Sequence, residues 1–280
     1  MQIDAGLRSQ IVRSFAPLRH EAAATFPPAG TLSKSLSDLA TPRAKAPYGI
    51  MLRPAIVKLF SKAGVDSWMR AVHSFLISAA LTDVSPIWAS VTGYYSSHYS
   101  VRAFAHVFGF FQLYGVKQKA QLDLAGNPLS CTYDPKKGSD REHRIYWKAV
   151  KANPLFANDD LFTENDSNQD PSDSGHRDHA NYKDLLQSLP PFHPLDREQV
   201  RLRIQRISAI EFSVPPIPSA KKYPDVESVQ IVAYHRLVRF RDILDEVLGA
   251  DNNFWSVHRD PPWARGLIDY QLVDADFEVD

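Results

Sequence analysis

Apolar side chains return at helical intervals along most of this chain. Over residues 52–81 they recur every three or four positions, and Gly64 is expected to interrupt that helix. The same spacing predicts a helix at residues 1–24, stopped by Pro27, and another at about residues 87–113 whose apolar residues face more than one side. The pattern therefore predicts a mainly α-helical protein with a central, buried helix.

Further helices are predicted in the second half of the chain. Asp196 is a suitable N-cap for one of them, because its side chain can accept hydrogen bonds from the first turn. Gly249 is placed to end the last one, since glycine readily adopts the left-handed conformation found after many helices. The predicted spans are about residues 141–152, 178–188, 196–212 and 226–248.

One short stretch changes from a helical to an alternating period. Residues 115–133 contain two such runs on either side of Gly126 and Asn127, residues that are typical of tight turns. We therefore expect a small β-hairpin inserted into a helical bundle.

Three segments have compositions that favour loops or tails. Residues 25–50 are rich in proline and serine and are predicted to form a loop or wrapping arm. Residues 152–176 contain six acidic side chains and no lysine or arginine, which is typical of a mobile surface loop. The tail after residue 250 combines aromatic anchors with an acidic end. The predicted organisation is an N-terminal helix and arm (1–50), a helical core carrying the hairpin and the acidic loop (51–212), and a C-terminal helix and tail (213–280).

Charge and cysteine content narrow the function classes. Thirty-two basic and 32 acidic side chains balance, so no global positive field would hold nucleic acid and any RNA contact must be local. The single cysteine, Cys131, cannot form an internal disulfide, which fits a reducing compartment. Residues 1–15 lack the apolar run of a secretory signal, and no apolar stretch is long enough to cross a bilayer. We expect a soluble, cytoplasmic protein without a membrane partner.

The most informative stretch is residues 93–109. In a helix it would place four side chains along one stripe, with His98 one turn before the arginine: Tyr95, Tyr99, Arg102 and His106. Two interpretations stay open. In one, the aromatic rings fill a core while Arg102 and His106 bind local carboxylates or carbonyls. In the other, the stripe borders a cleft or a dimer interface where Arg102 meets phosphate and a histidine moves a proton.

This stretch resembles the second-helix signature of the HEPN (higher eukaryote and prokaryote nucleotide-binding) family. In that signature a Tyr-Tyr pair leads into small residues, an Ala/Arg segment and a glycine. The sequence Arg177-Asp-His-Ala-Asn-Tyr182 is similar to the Arg-x-x-Ala-Asp/Asn-Tyr element that many HEPN proteins carry before their last bundle helix. Residues 196–212 would be that helix, and the resemblance covers roughly residues 65–212.

The resemblance implies an α-helical bundle that commonly dimerises. Active HEPN members are metal-independent ribonucleases, often toxins or antiviral defence effectors. Their usual motif has an arginine and a histidine with four to six residues between them, and this sequence departs from it. Arg13 and His20 have the spacing but lie far upstream, while Arg177 and His179 are too close together.

Cleavage of RNA without a metal needs a cation facing the phosphate, together with a base and an acid that move protons. The candidate cations are Arg102 and Arg177, the candidate proton carriers are His98, His106 and His179, and the candidates for binding or orienting RNA are Tyr95, Tyr99, Asn181 and Tyr182. No metal and no cofactor is expected.

Two functions from different classes follow. The first is a HEPN-like protein of a toxin or antiviral defence system that acts on RNA, by metal-independent cleavage or by binding. The second is a non-catalytic HEPN-like module that forms a homodimer or scaffolds a partner protein of the same system.

Arginines are frequent in the last two long predicted helices. They form either a local basic surface or a salt-bridged helix face. The residues concerned are Arg197, Arg201, Arg203, Arg206, Arg236, Arg239 and Arg241.

Overall fold

A computed structural model of the chain describes residues 5–18, 31–113, 118–125, 130–135, 142–156, 159–163, 196–210, 226–249 and 252–259. The helices in these ranges are α1 (Ala5–Phe15), α2 (Thr31–Leu39), α3 (Pro54–Leu81), α4 (Pro86–Val107), α5 (Glu142–Lys151), α6 (Asp160–Thr163), α7 (Arg197–Ala209), α8 (Val226–Leu248) and α9 (Asn253–Arg259), with a 3-10 turn at Ala16–Leu18. The strands are β1 (Tyr48–Met51), β2 (Phe110–Leu113), β3 (Gln118–Asp123) and β4 (Ser130–Pro135). The predicted mainly α-helical fold with a small β insertion is confirmed.

The predicted break at Gly64 is wrong, because α3 runs through it without interruption. A Cβ atom added at Gly64 would lie 2.7 Å from Cγ2 of Val107 and 3.2 Å from the carbonyl oxygen of Ala103. The glycine therefore serves a close helix contact, which α3 makes with the last turns of α4.

The prediction that the central helix continues to residue 113 is also wrong. Helix α4 ends at Val107, and Gly109 follows with φ of +80°, a conformation that L side chains rarely adopt. A Cβ atom at Gly109 would lie 2.6 Å from Cβ of Leu122, so the turn is closed to a larger residue. The apolar residues after it form the buried strand β2 instead.

The four strands form one antiparallel sheet in the order β1-β4-β3-β2. The predicted hairpin is confirmed as β3 and β4, with Asp123 opposite Ser130.

The predicted arm at 25–50 is wrong where it is described, since it contains α2 and β1. Leu32 and Leu36, four residues apart, are buried on one face of α2, and this pair outweighs the local serine and proline content.

The end of α1 differs from the prediction, whereas the start of α7 and the spans of α5 and α8 agree with it. The α-helical part of α1 ends at Phe15, just before Pro17, which has no N–H to donate. Asp196 caps α7 by accepting from the backbone N–H groups of Glu198 and Gln199, as predicted. Helices α5 and α8 confirm their predicted spans, while the helix predicted at 178–188 lies outside the described residues.

The predicted acidic loop at 152–176 contains an anchored helical turn. Asp159 forms a salt bridge of 3.3 Å with Arg239, and α6 follows at once. The fully buried Arg236 donates two hydrogen bonds, of 3.0 and 2.7 Å, to the carbonyl oxygen of Leu161. The loop prediction is therefore wrong for this part of the segment.

The chain divides into two compact units. Unit 1 takes residues 1–67, 101–155 and 242–257, and unit 2 takes residues 68–100, 156–241 and 258–280. In unit 1 the sheet has one core-facing side, where Tyr133, Leu122 and Cys131 belong to a cluster that includes residues of α2 and α3.

The core of unit 2 is built around aromatic residues of α3 and α8. Trp68 stacks on Phe240 with ring centroids 6.1 Å apart and donates its indole N–H to the carbonyl of Leu237 over 3.0 Å. Phe75 contacts Tyr234 at 5.6 Å. None of the helices in the described part of the chain combines the length and apolar character needed to cross a bilayer.

Candidate functional site

Arg102 and His106 lie one turn apart on α4 and bind each other within unit 1. The Nε of Arg102 donates to Nε2 of His106 over 3.1 Å. The second imidazole nitrogen, Nδ1, lies 3.1 Å from the carbonyl oxygen of Phe110, where β2 begins. Because Nε2 accepts a hydrogen bond, the proton of the neutral ring is on Nδ1 and is donated to Phe110.

The guanidinium of Arg102 also lies over an aromatic ring. Its central carbon is 5.4 Å from the ring centroid of Tyr146 on α5, within the range of cation–π attraction. Tyr146 is fully buried and meets His106 edge-on, with ring centroids 5.6 Å apart. The imidazole and the phenol ring thus fix the guanidinium from two directions. In the described part of the chain, no acceptor binds the two terminal nitrogens of Arg102.

Burial removes His106 from titration near neutral pH. Burial first, and the Arg102 cation second, lower the pKa of His106 to about 3, against the opposing effect of the Phe110 carbonyl. The ring is therefore neutral at physiological pH, and both of its nitrogens are engaged. It holds Arg102 in place, and a proton transfer would first require one of its two hydrogen bonds to break.

The spacing of this pair explains why its members bind each other. Arg102 and His106 are four residues apart on α4. Residues four apart share one face of a helix, so their side chains are neighbours. The contact agrees with the interpretation in which His106 binds locally, and a phosphate contact of Arg102 stays a prediction.

Three other predicted residues of α4 belong to unit 2, where they form an aromatic row. His98 is 2% exposed and stacks on Tyr94 with ring centroids 6.3 Å apart. Tyr95 and Tyr99 are partly exposed, with their ring centroids 6.1 Å apart. Their predicted roles in proton transfer and RNA orientation stay predictions.

The second predicted group of site residues is Arg177, His179, Asn181 and Tyr182, and it lies outside the described residues. Its proximity to Arg102 therefore stays a prediction as well.

Three of the four arginines of α7 form ion pairs within unit 2. Arg201 binds Glu198 at 2.6 Å, and Arg206 binds Glu227 at 2.9 Å. These contacts favour the salt-bridged helix face over the free basic surface.

A segment with several exposed basic side chains, which the sequence analysis missed, lies in unit 1. Residues 31–58, the basic segment, contain five Lys or Arg side chains and one acidic side chain, although the whole chain is balanced. Four of these cations are exposed, and none forms a hydrogen bond or an ion pair with any described residue: Lys34, Arg43, Lys45 and Arg53. The sequence of residues 31–58 contains this charge excess, but the loop or arm predicted there was based on its proline and serine content.

Neither a metal site nor a known relative indicates a function for this chain. Among the described residues, no group of three or more His, Cys, Asp or Glu side chains could hold a metal ion. No protein-family model matches the chain, and neither does a curated protein or a solved structure. The geometry around Arg102 and the exposed cations of the basic segment are therefore the features that bear on function.

Proposed function

We propose that the protein binds RNA through Arg102, as a HEPN-like protein of a toxin or antiviral defence system. The supporting observation is the chain of contacts from Arg102 through His106 to Phe110. A guanidinium that is fixed through its Nε and one face keeps its two terminal nitrogens oriented for one bidentate anion, and phosphate fits that geometry. The resemblance to HEPN proteins suggests that this phosphate belongs to RNA.

The state of His106 favours binding over cleavage at this position. A general base or acid works best with a pKa near the working pH, whereas the pKa of His106 is lowered to about 3. His106 is therefore a positioning residue for Arg102. Any cleavage by this protein would use the predicted group at Arg177 and His179.

The basic segment supports an RNA-binding function independently of Arg102. Arg43 and Lys45 precede β1, and Arg53 follows it. A strand of this length spans roughly 10 Å, so cations at both ends can contact different phosphates of one RNA strand. Since the whole chain has no net charge, such a local surface is what a phosphate backbone requires.

The function is tested by incubating the purified protein with labelled single-stranded and structured RNAs in the presence of a chelator. Complex formation is followed by gel mobility, and the integrity of the RNA is read from a denaturing gel. The proposal predicts a complex with intact RNA. Cleavage that persists in chelator would replace binding by a nuclease function, and the absence of both complex and cleavage would overturn the proposal.

One observation favours the second candidate, the interaction module. Trp88, in the first turn of α4, is 57% exposed, and an exposed tryptophan is typical of protein-binding surfaces. Light scattering on the wild type and on Trp88→Ser tests this reading. A dimer that becomes monomeric in the variant would support it, and a monomer in both would argue against homodimerisation through Trp88.

A further inference from the structure

Unit 1 contains a cleft on the polar side of its sheet, and neither Arg102 nor His106 is among its described lining residues. The cleft has a volume of about 450 Å³, within the usual range for small-molecule sites. It is bordered by α1, by the end of α4, by β3 and β4, and by the C-terminal end of α5.

The strand register shows which side chains form the polar floor of this cleft. Thr132 lies directly opposite Gln121, and Gln121 lies opposite Phe110. Directly paired residues point to the same side of a sheet, so these three form one row across it. Thr132 and Gln121 are exposed, and the other side of the sheet faces the core.

Two amide side chains at the cleft are held in fixed orientations. Gln121 donates its Nε2 to the carbonyl oxygens of Phe108 and Leu122, at 2.9 and 3.3 Å, which leaves Oε1 as an acceptor. Asn153 accepts the backbone N–H of Leu155 on Oδ1 over 3.0 Å, which leaves Nδ2 as a donor. In the described part of the chain, no residue binds either remaining amide atom.

The charge of the cleft limits what can enter it. Asp123 is the one charged side chain among the described lining residues, and the carbonyl end of α5 contributes further negative potential. Inside the cleft this favours an uncharged group over a phosphate. The partly exposed ring of Phe108 supplies an apolar surface on which a flat ring can stack.

We propose that this cleft binds a nucleobase. A base is flat and uncharged and carries donors and acceptors on one edge, which matches an oriented amide acceptor, an oriented amide donor and a hydroxyl beside an aromatic ring. The phosphate of the nucleotide would stay outside, beside Arg13, whose Nη1 donates to the carbonyl oxygen of Ala125 at the cleft over 3.1 Å. The proposal goes beyond the RNA contact of Arg102, because it rests on a different surface.

The test is titration calorimetry of the full chain with the four ribonucleosides and their 5′-monophosphates. At least one nucleoside should bind, and Gln121→Leu should weaken it by about tenfold, as expected for one lost hydrogen bond to a fixed partner. Thr132→Val tests the hydroxyl while keeping the side-chain shape. Gln199→Leu, an equal change on the exposed start of α7, should bind like the wild type.

A further variant, at Arg13, tests the contact with the phosphate. The monophosphate should bind more tightly than its nucleoside, and Arg13→Gln should remove that difference while nucleoside binding stays unchanged. The nucleobase proposal is overturned if the wild type binds no nucleoside or monophosphate, or if folded Gln121→Leu binds them equally well. Arg102→Ala should bind nucleosides like the wild type, so a failure of the RNA-binding proposal is distinguishable from a failure here.

Discussion

Arg102 donates its Nε–H to Nε2 of His106 over 3.1 Å, on consecutive turns of one helix. The histidine is held from its other side by the carbonyl of Phe110, so a buried neutral imidazole connects a cation to the first residue of β2. In the folded chain this histidine supports the arginine, and a role of His106 in proton transfer stays a prediction.

Acid should destabilise the folded protein partly through His106. Its pKa is about 3 in the folded chain and about 6.5 when exposed, so the unfolded chain binds the proton more readily between these values. The contribution of His106 to the free energy of unfolding is therefore complete above pH 6.5. It is lost as the pH falls toward 3, by about 1.4 kcal/mol per pH unit within that window.

Urea unfolding of the wild type and His106→Gln from pH 7 to pH 4 measures this effect. Other titrating groups change alike in both proteins, so the difference between their unfolding free energies isolates His106. The stability advantage of the wild type should shrink as the pH falls. Parallel curves would show that His106 is not held neutral.

Neutralising the basic segment should weaken RNA binding more than neutralising paired arginines. Arg43→Gln with Arg53→Gln removes two exposed cations, whereas Arg201→Gln with Arg206→Gln removes two that are engaged by Glu198 and Glu227. We expect a loss of about tenfold or more for the first double variant at low salt, with a shallower salt dependence.

The two double variants carry the same net charge, which makes the second a matched control for the first. Binding to a labelled single-stranded RNA is measured over a range of salt concentrations. An equal loss in both would indicate that only overall charge matters, against a specific role for the basic segment.

Gly64→Ala should destabilise unit 1 through a steric clash. The added methyl group would lie 2.7 Å from Cγ2 of Val107, and relief requires the two helices to separate slightly. We expect a loss of about 1–3 kcal/mol, typical of overpacking. Thermal and urea unfolding measure it.

Two further variants test whether the clash with Val107 causes this loss of stability. Gly49→Ala, whose Cβ would meet nothing within 4 Å, should change stability by less than about 0.5 kcal/mol. Adding Val107→Ala to Gly64→Ala should recover part of the loss, because the nearest clashing carbon is removed. Equal stability of Gly64→Ala and the wild type would contradict the close helix contact.

Arg236→Met should destabilise the anchored turn of unit 2. The methionine keeps an unbranched apolar stem but leaves the Leu161 carbonyl without the two hydrogen bonds it accepts. The expected loss is about 1–3 kcal/mol. Proteolysis near residues 159–163 should accelerate as well, whereas Arg197→Met on an exposed position should behave like the wild type.

Sequence periodicity predicted the spans of α5 and α8 well, because each buries apolar residues that recur every three or four positions. Capping at Asp196 was predictable for the same local reason, since one side chain meets two nearby N–H groups. The role of Gly64 was not predictable, because its partner Val107 is distant in sequence and only the packed helices bring the two together. Strand β1 was hidden for a related reason, since four residues gain their pairing partner only from β4.

The candidate site was partly predictable. The i, i+4 spacing of Arg102 and His106 indicated that they share a helix face, but the burial that lowers the pKa of His106 depends on Tyr146 and Phe110 from other elements. The cleft around Gln121 could not be inferred, because its walls come from α1, α4, α5 and the sheet. Sequence patterns identify local pairs, whereas a cleft is a property of the packed chain.

A fluorescence-anisotropy titration of a labelled single-stranded RNA in chelator tests whether Arg102 contacts RNA. The proteins compared are the wild type, Arg102→Ala, His106→Gln and the charge-matched control Arg201→Ala, each verified to be folded by circular dichroism and thermal unfolding. We expect Arg102→Ala to weaken binding by about tenfold or more, the range for a charge-assisted bidentate contact, and His106→Gln to weaken it less. Arg201→Ala should bind like the wild type. Equal affinities of Arg102→Ala and the wild type, or no RNA binding by the wild type, would contradict the claim that Arg102 contacts RNA.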